Sequence, residues 1–216
     1  MNQIANKIWV LDGYVAVGKS TTLKNVKSLL YKQIPNLKVH TYEENVGEWE
    51  NYHGVNMLRK MYETEGGKWK SRFQHKAILD IQRQDTEIRK NSEETLSIQE
   101  RDLLAIKKVF LPQLEPSLER IDYHLLLEQT EIGLSEYESA LRKKRIFLYG
   151  DIEHMYARMQ KRGRKAEQGI SREKYAEMCV QMDSMRERSE YVINCTGLAP
   201  WQVARAVVGI ITGVRG

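Results

Sequence analysis

Residues 13 to 20 read Gly-Tyr-Val-Ala-Val-Gly-Lys-Ser. They fit the pattern G-x-x-x-x-G-K-[ST]. They also lie between an apolar run, Ile8–Leu11, and a stripe of Leu23, Val26, Leu29 and Leu30 at helical spacing. A glycine-rich loop that joins a strand to a helix is the context in which this pattern carries meaning. Gly13 and Gly18 let the backbone close around phosphate oxygens. The amides along Val15, Ala16, Val17, Gly18, Lys19, Ser20 and Thr21, with the helix N-terminus behind them, favour negative charge. Lys19 is expected to reach the β- and γ-phosphates of a nucleoside triphosphate, and Ser20 to bind Mg²⁺ through its hydroxyl. A glycine turn with no ligand is the bland alternative, and the flanking strand and helix weigh against it.

Four more apolar runs read as buried strands: Lys38–Tyr42, Leu96–Gln99, Ile146–Tyr149 and Tyr191–Cys195. They alternate with helical patterns, and such alternation predicts an α/β chain with a parallel sheet covered on both faces. Trp69, Phe73, Ala77, Ile81 and Ile88 fit one long helix. Ser135 with Glu138 reads as a capping box that opens a helix to about Lys144. Tyr175, Met178, Cys179, Met182 and Met185 form a stripe that reads as core packing. Pro200 starts a last helix with Val203, Val207 and Ile211 inside. The 216 residues hold no repeat or linker, so a single domain over 1–216 is expected.

Composition excludes several classes. With 41% hydrophobic and 29% charged residues, and no run near the ~20 apolar residues of a membrane span, no membrane partner is expected. The polar Met1–Lys7 leads straight into a strand and reads as no signal peptide. Cys179 and Cys195 offer neither metal-ligand spacing nor a disulfide framework, so a reducing, cytoplasmic setting is expected. A net charge of +5 suits nucleic acid or a polyphosphate site equally. The basic residues are scattered with no aromatic–basic stripe, so no nucleic-acid partner is expected.

In open parallel sheets ligands sit beyond the carboxyl ends of the strands. Those ends carry the phosphate loop, then Glu43 and Glu44, then Glu100 and Arg101, then Asp151. A carboxylate there can take the proton of a weak hydroxyl nucleophile. An arginine there can offset charge that builds up in phosphoryl transfer.

Five segments in this order resemble the deoxynucleoside kinase family, which includes deoxycytidine, deoxyguanosine and mitochondrial thymidine kinases, with herpesviral thymidine kinases as relatives. They are Leu11-Asp12-Gly13 through Gly18-Lys19-Ser20-Thr21-Thr22; Glu43-Glu44 through Trp49; Met57 through Tyr62 with Trp69 and Phe73-Gln74; Gln99-Glu100-Arg101-Asp102 with Ile106 and Phe110; and Arg158 through Ile170. The resemblance is weak from about Pro112 to Lys144. It implies a three-layer P-loop kinase fold with a five-stranded parallel sheet, an arginine-rich lid over about 158–170, ATP and Mg²⁺ as cofactors, and a homodimer. It further implies Glu44 as the base that accepts the proton of the 5′-hydroxyl of a deoxynucleoside substrate, with Glu43 a second candidate. Arg101 would lie near the transferring phosphate and Glu100 would help Ser20 hold Mg²⁺. Arg158, Arg162 and Arg164 would clamp phosphates, in the manner of guanidinium forks. Trp49, Phe73 and Phe110 would line the base, Gln74 would hydrogen-bond it, and Tyr62 and Glu167 would reach the 3′-hydroxyl. The spacing from Tyr62 to Gln74 is one residue longer than in the family, and Asp102 stands where the family has serine.

Deoxycytidine-selective members carry an arginine and an aspartate facing the base, at positions that correspond to Ile81 and Ile106 here. Two apolar residues leave dry room for a 5-methyl group, which favours thymidine, with broad pyrimidine or purine specificity the alternative. A thymidylate kinase is a second alternative, although Glu44 would repel an acceptor that already carries a phosphate. A non-kinase P-loop ATPase is a third.

Overall fold

A computed structural model describes residues 7–91, 95–138 and 141–213. The segment Met1–Asn6, most of the stretch read as lacking a signal, lies outside them. Five strands, β1 (Ile8–Gly13), β2 (Lys38–Tyr42), β3 (Thr95–Glu100), β4 (Lys143–Tyr149) and β5 (Tyr191–Asn194), form one parallel sheet in the order β2-β3-β1-β4-β5. Every residue of β1 and β3 is buried. A strand buried on both sides needs helices on both sides, and this is the three-layer α/β fold of P-loop kinases. The five predicted strands are the five observed, with ends shifted by up to three residues.

The helices are α1 (Lys19–Gln33), α2 (Val46–Glu50), α3 (Met57–Glu63), α4 (Lys68–Lys90), α5 (Leu103–Ala105), α6 (Leu111–Leu114), α7 (Arg120–Glu138), α8 (Ile152–Arg162), α9 (Arg172–Arg186) and α10 (Pro200–Thr212). A π-helical turn, Ile106–Phe110, joins α5 to α6. α1 packs on α10, and α4 packs on α3 and α7. The stripes read from α1, α9 and α10 are buried, Leu29 only in part: Leu23, Val26 and Leu30; Tyr175, Met178, Cys179, Met182 and Met185; Val203, Val207 and Ile211.

The structure corrects one helix. Ser135 does not open a helix but sits in the last turn of α7, where its Oγ donates to the Ile132 carbonyl at 2.8 Å. Backbone amides at that position already serve the helix, so the Ser-x-x-Glu pattern has nothing to cap. The chain from Lys143 is strand instead. Its charges hid it from the sequence, because they are buried in ion pairs: Lys143 Nζ with Asp85 at 2.7 Å and Arg145 Nη2 with Asp102 at 2.6 Å. Asp102 also caps α5, accepting from the Leu104 amide at 3.1 Å. That gives the aspartate in place of the family's serine a structural role. Asp151 likewise caps α8 through the His154 amide at 2.9 Å. Among the described residues no helix is long and apolar enough to cross a membrane.

Candidate active site

The loop between β1 and α1 is closed by two glycines for different reasons. Gly13 has φ 145°, and a Cβ there would stand 2.1 Å from the Leu148 carbonyl oxygen. Gly18 has φ 104° at the start of α1, beneath the guanidinium of Arg158, whose Nη2 would lie 3.1 Å from a Cβ. Val15, Ala16, Gly18, Lys19, Ser20 and Thr21 line a cleft of about 640 Å³. Gly13 and Val17, expected with them, do not. The Gly13 amide donates to Asp12 Oδ1 at 2.7 Å, the Val17 amide donates to the Tyr14 carbonyl at 3.3 Å, and the Val17 side chain is core. Both shape the loop from behind.

Lys19 is buried and donates to the carbonyls of Gly13 at 3.2 Å and Tyr14 at 3.1 Å. Burial first, and the charge of Arg101 second, lower its amine to about 8. Ser20 Oγ donates to Glu100 Oε2 at 2.9 Å. A hydroxyl and a carboxylate side by side are hard oxygen donors of the kind Mg²⁺ takes, with waters and phosphate oxygens completing its shell. They fit the expected metal, although among the described residues no cluster of three His, Cys, Asp or Glu could hold one unaided. Burial, reinforced by the nearby Glu44 charge, raises the Glu100 carboxyl.

Arg101 organises the floor. Its Nη1 donates to Glu44 Oε1 at 2.6 Å, its Nε lies 3.4 Å from Asp12 Oδ1, and its Nη2 donates to the Gly13 carbonyl at 3.2 Å. The guanidinium sits 5.1 Å over the Phe110 ring. Its backbone adopts φ 60°, a left-handed conformation that costs a non-glycine residue of order 1–3 kcal/mol. The ring of partners offsets that strain and holds the side chain in place. Burial works to raise the Glu44 carboxyl, but the charges of Arg101 and Lys19 outweigh it and hold Glu44 below the usual carboxylate range. Burial raises Asp12 despite the same two cations. Glu44, not Glu43, faces the cleft. The Glu43 carboxylate points outward, 3.8 Å from exposed Lys24.

Beyond Glu44 the cleft turns apolar. Trp49, Tyr62, Phe73, Gln74, Ile81, Ile106 and Phe110 all line it, carried by α2, α3, α4 and the π turn. The Trp49 and Phe73 rings meet edge to face at 5.2 Å. Gln74 is a buried amide on this otherwise apolar wall. Over the opposite side α8 ends at Gly163, φ 69°, and a short turn, Lys165–Glu167, follows. Arg162 grips Glu167 through two of its nitrogens, Nη2 donating to Oε1 at 2.6 Å and Nε to Oε2 at 3.2 Å, while Arg164 stands 3.5 Å from the same carboxylate. Arg158, Arg162, Arg164 and Glu167 all face the cleft.

The sequence missed other lining residues. Asp80 and Gln84 on α4 belong to its polar side and carry no motif. Lys174, Glu177 and Gln181 on α9 recur at i, i+3 and i+7, a periodic signal hidden beside the methionine stripe.

No curated protein sequence matches the chain. A model of the family described as deoxynucleoside kinase matches residues 9–189, from β1 through α9. That span takes in the phosphate loop, the Glu44–Arg101 pair, the apolar wall around Gln74 and the arginine lid, and the chain belongs to the deoxynucleoside kinase family.

Proposed function

We propose that this deoxynucleoside kinase moves the γ-phosphoryl group of ATP onto the 5′-hydroxyl of thymidine, with Glu44 as the base. The observation that carries the reading is the Glu44 carboxylate, held as an anion by Arg101 at 2.6 Å, midway along a cleft that runs from the phosphate loop to an apolar pocket.

Glu44 orients the 5′-hydroxyl and accepts its proton as the new O–P bond forms. Lys19, Arg101 and the lid arginines Arg158, Arg162 and Arg164 face the charge that shifts toward the departing diphosphate oxygen. Ser20 and Glu100 would hold Mg²⁺, which when bound would supply positive charge to offset the negative charge of the phosphates. Lid closure excludes water that would compete as acceptor. Gln74 offers a donor and an acceptor to a base edge, in a pocket that Phe73 and Phe110 also line. Ile81 and Ile106 suit a 5-methyl group, whereas a buried exocyclic amine left unpaired there would cost about 1–3 kcal/mol. Tyr62 and Glu167 reach the 3′-hydroxyl region. Glu44 repels an acceptor that already carries a phosphate.

The partner proposed is a second copy of the chain. Ile121, Leu125 and Ile132 are exposed on one face of α7, with Glu128 between the last two, and Leu79 is exposed on neighbouring α4. Such a row on a surface suits burial against an identical row.

The test is ADP release from ATP–Mg²⁺ with each of the four deoxynucleosides and with thymidine monophosphate. Turnover with thymidine and not with its monophosphate is expected. Preference for another nucleoside would discard the role given to Ile81 and Ile106. Activity with the monophosphate alone would discard the role given to Glu44.

A further inference from the structure

Lys76, Asp80 and Gln84 follow one another at intervals of four along α4, so they share a face one turn apart. Each reaches across to the short segment that carries Glu44. Gln84 Nε2 donates to the Glu43 carbonyl at 2.9 Å, one peptide before the base. Asp80 Oδ2 accepts from the Trp49 indole at 2.8 Å. Lys76 Nζ lies 2.9 Å from Glu48 Oε1 and 2.5 Å from Asp80 Oδ1. Asp80 and Lys76 are 2% and 5% exposed, so this is an interior network and not a solvated face. Gln84 is itself held, because its Oε1 accepts from Gln99 Nε2 at 3.1 Å on β3.

α2 is only five residues long, Val46–Glu50, and its N-cap residue makes no side-chain cap bond. So short a helix is marginal without tertiary support. The three ties from α4 supply that support.

We propose that Lys76, Asp80 and Gln84 are positioning residues that clamp the segment Glu43–Trp49, so that Glu44 keeps its distance from the acceptor hydroxyl and Trp49 its place against the nucleoside. The inference rests on the role given to Glu44 for its catalytic half and is independent of that role for Trp49. Glu48 is 43% exposed, so the Lys76–Glu48 pair is the weakest tie. Asp80 and Gln84 carry the clamp. The same α4 presents Gln74, Ala77 and Ile81 to the cleft on the adjacent stripe. One helix therefore sets both the shape of the pocket and the position of the base.

Two crosses on the full chain test it. Gln84→Glu removes the donor to the Glu43 carbonyl and keeps the length of the side chain and its acceptor for Gln99. It is expected to lower kcat about 10-fold in the native background and less than about twofold in a Glu44→Gln background, because positions that act through one another are non-additive. Asp80→Leu is expected to raise the nucleoside KM about 10-fold, leave the ATP KM unchanged and add nothing to Trp49→Phe. Asp80→Asn, which keeps an acceptor for the indole, should recover most of that loss. Equal losses from Gln84→Glu in both backgrounds, or additive effects of Asp80→Leu and Trp49→Phe, would overturn the clamp. If Glu44→Gln alone leaves kcat intact, the base assignment fails, and the Asp80–Trp49 cross still decides whether the clamp exists.

Discussion

Arg101 and Glu44 stand at the ends of neighbouring strands and meet at 2.6 Å, so a carboxylate and a guanidinium that lie 57 positions apart in the chain act as one unit. The pair sets the protonation state of Glu44. Glu44→Gln should lower kcat by ~10²-fold or more while the Kd for ATP, measured by calorimetry, changes little.

The pairing also fixes a pH dependence. Arg101 and Lys19 hold Glu44 below the usual carboxylate range against the push of burial, so its carboxylate is charged throughout the neutral range. Arg101→Gln removes the cation with the stronger pull on Glu44 and leaves burial less opposed. The acid limb of the kcat/KM profile, which reports the free enzyme, should therefore move to higher pH. A limb that stayed in place while activity fell would assign Arg101 to the phosphate alone.

Glu167 is held by Arg162 and Arg164 in the lid. If it meets the 3′-hydroxyl, Glu167→Gln should raise the KM for a 2′-deoxynucleoside roughly 10-fold and leave that for the 2′,3′-dideoxy analogue nearly unchanged, a difference of about 1.4 kcal/mol. Equal losses for both substrates would confine Glu167 to organising the arginines.

Asp102 is 2% exposed and pairs with Arg145, itself 10% exposed at the side chain. Asp102→Ser would leave a buried guanidinium without this partner. The expected loss is that of one charge-assisted hydrogen bond, about 1.5–3 kcal/mol of stability, read from chemical denaturation with the m-value unchanged.

The exposed stripe on α7 gives a prediction about assembly. If two copies pair across it, Leu125→Glu, which places a charge in the middle of it, should convert that dimer into monomers by sedimentation velocity, with the fold intact by circular dichroism.

Much of this architecture was legible from residue order. The phosphate loop announced itself because its glycines, lysine and serine must be adjacent in sequence to act together. Buried strands such as β1 and β3 are continuous apolar runs and were equally plain. What hid was chemistry that depends on distant pairing. The sequence places Lys143 in a helix and Arg145 in no element, because the carboxylates that neutralise them in the interior, Asp85 and Asp102, lie more than forty positions away. α7 was misread because its apolar residues face two ways: Leu126 inward, Ile121, Leu125 and Ile132 outward. No single stripe stands out in such a helix. Asp80 and Gln84 belong to no local pattern, since their partners lie on a segment more than thirty positions earlier.

The strand order β2-β3-β1-β4-β5 sets the phosphate loop between two territories. Glu44, Arg101 and, through α4, the nucleoside pocket follow β2 and β3 on one flank. The arginines of α8 follow β4 on the other. The flanks meet where the turn Lys165–Glu167 packs on α3 and where α9 packs on the π turn. Where those contacts are kept, such a division lets a lineage drift among nucleosides, retuning α4 and the π turn, while its handling of the donor stays the same. By the same logic an engineer could graft a foreign acceptor wall onto this chassis and leave its phosphate chemistry alone.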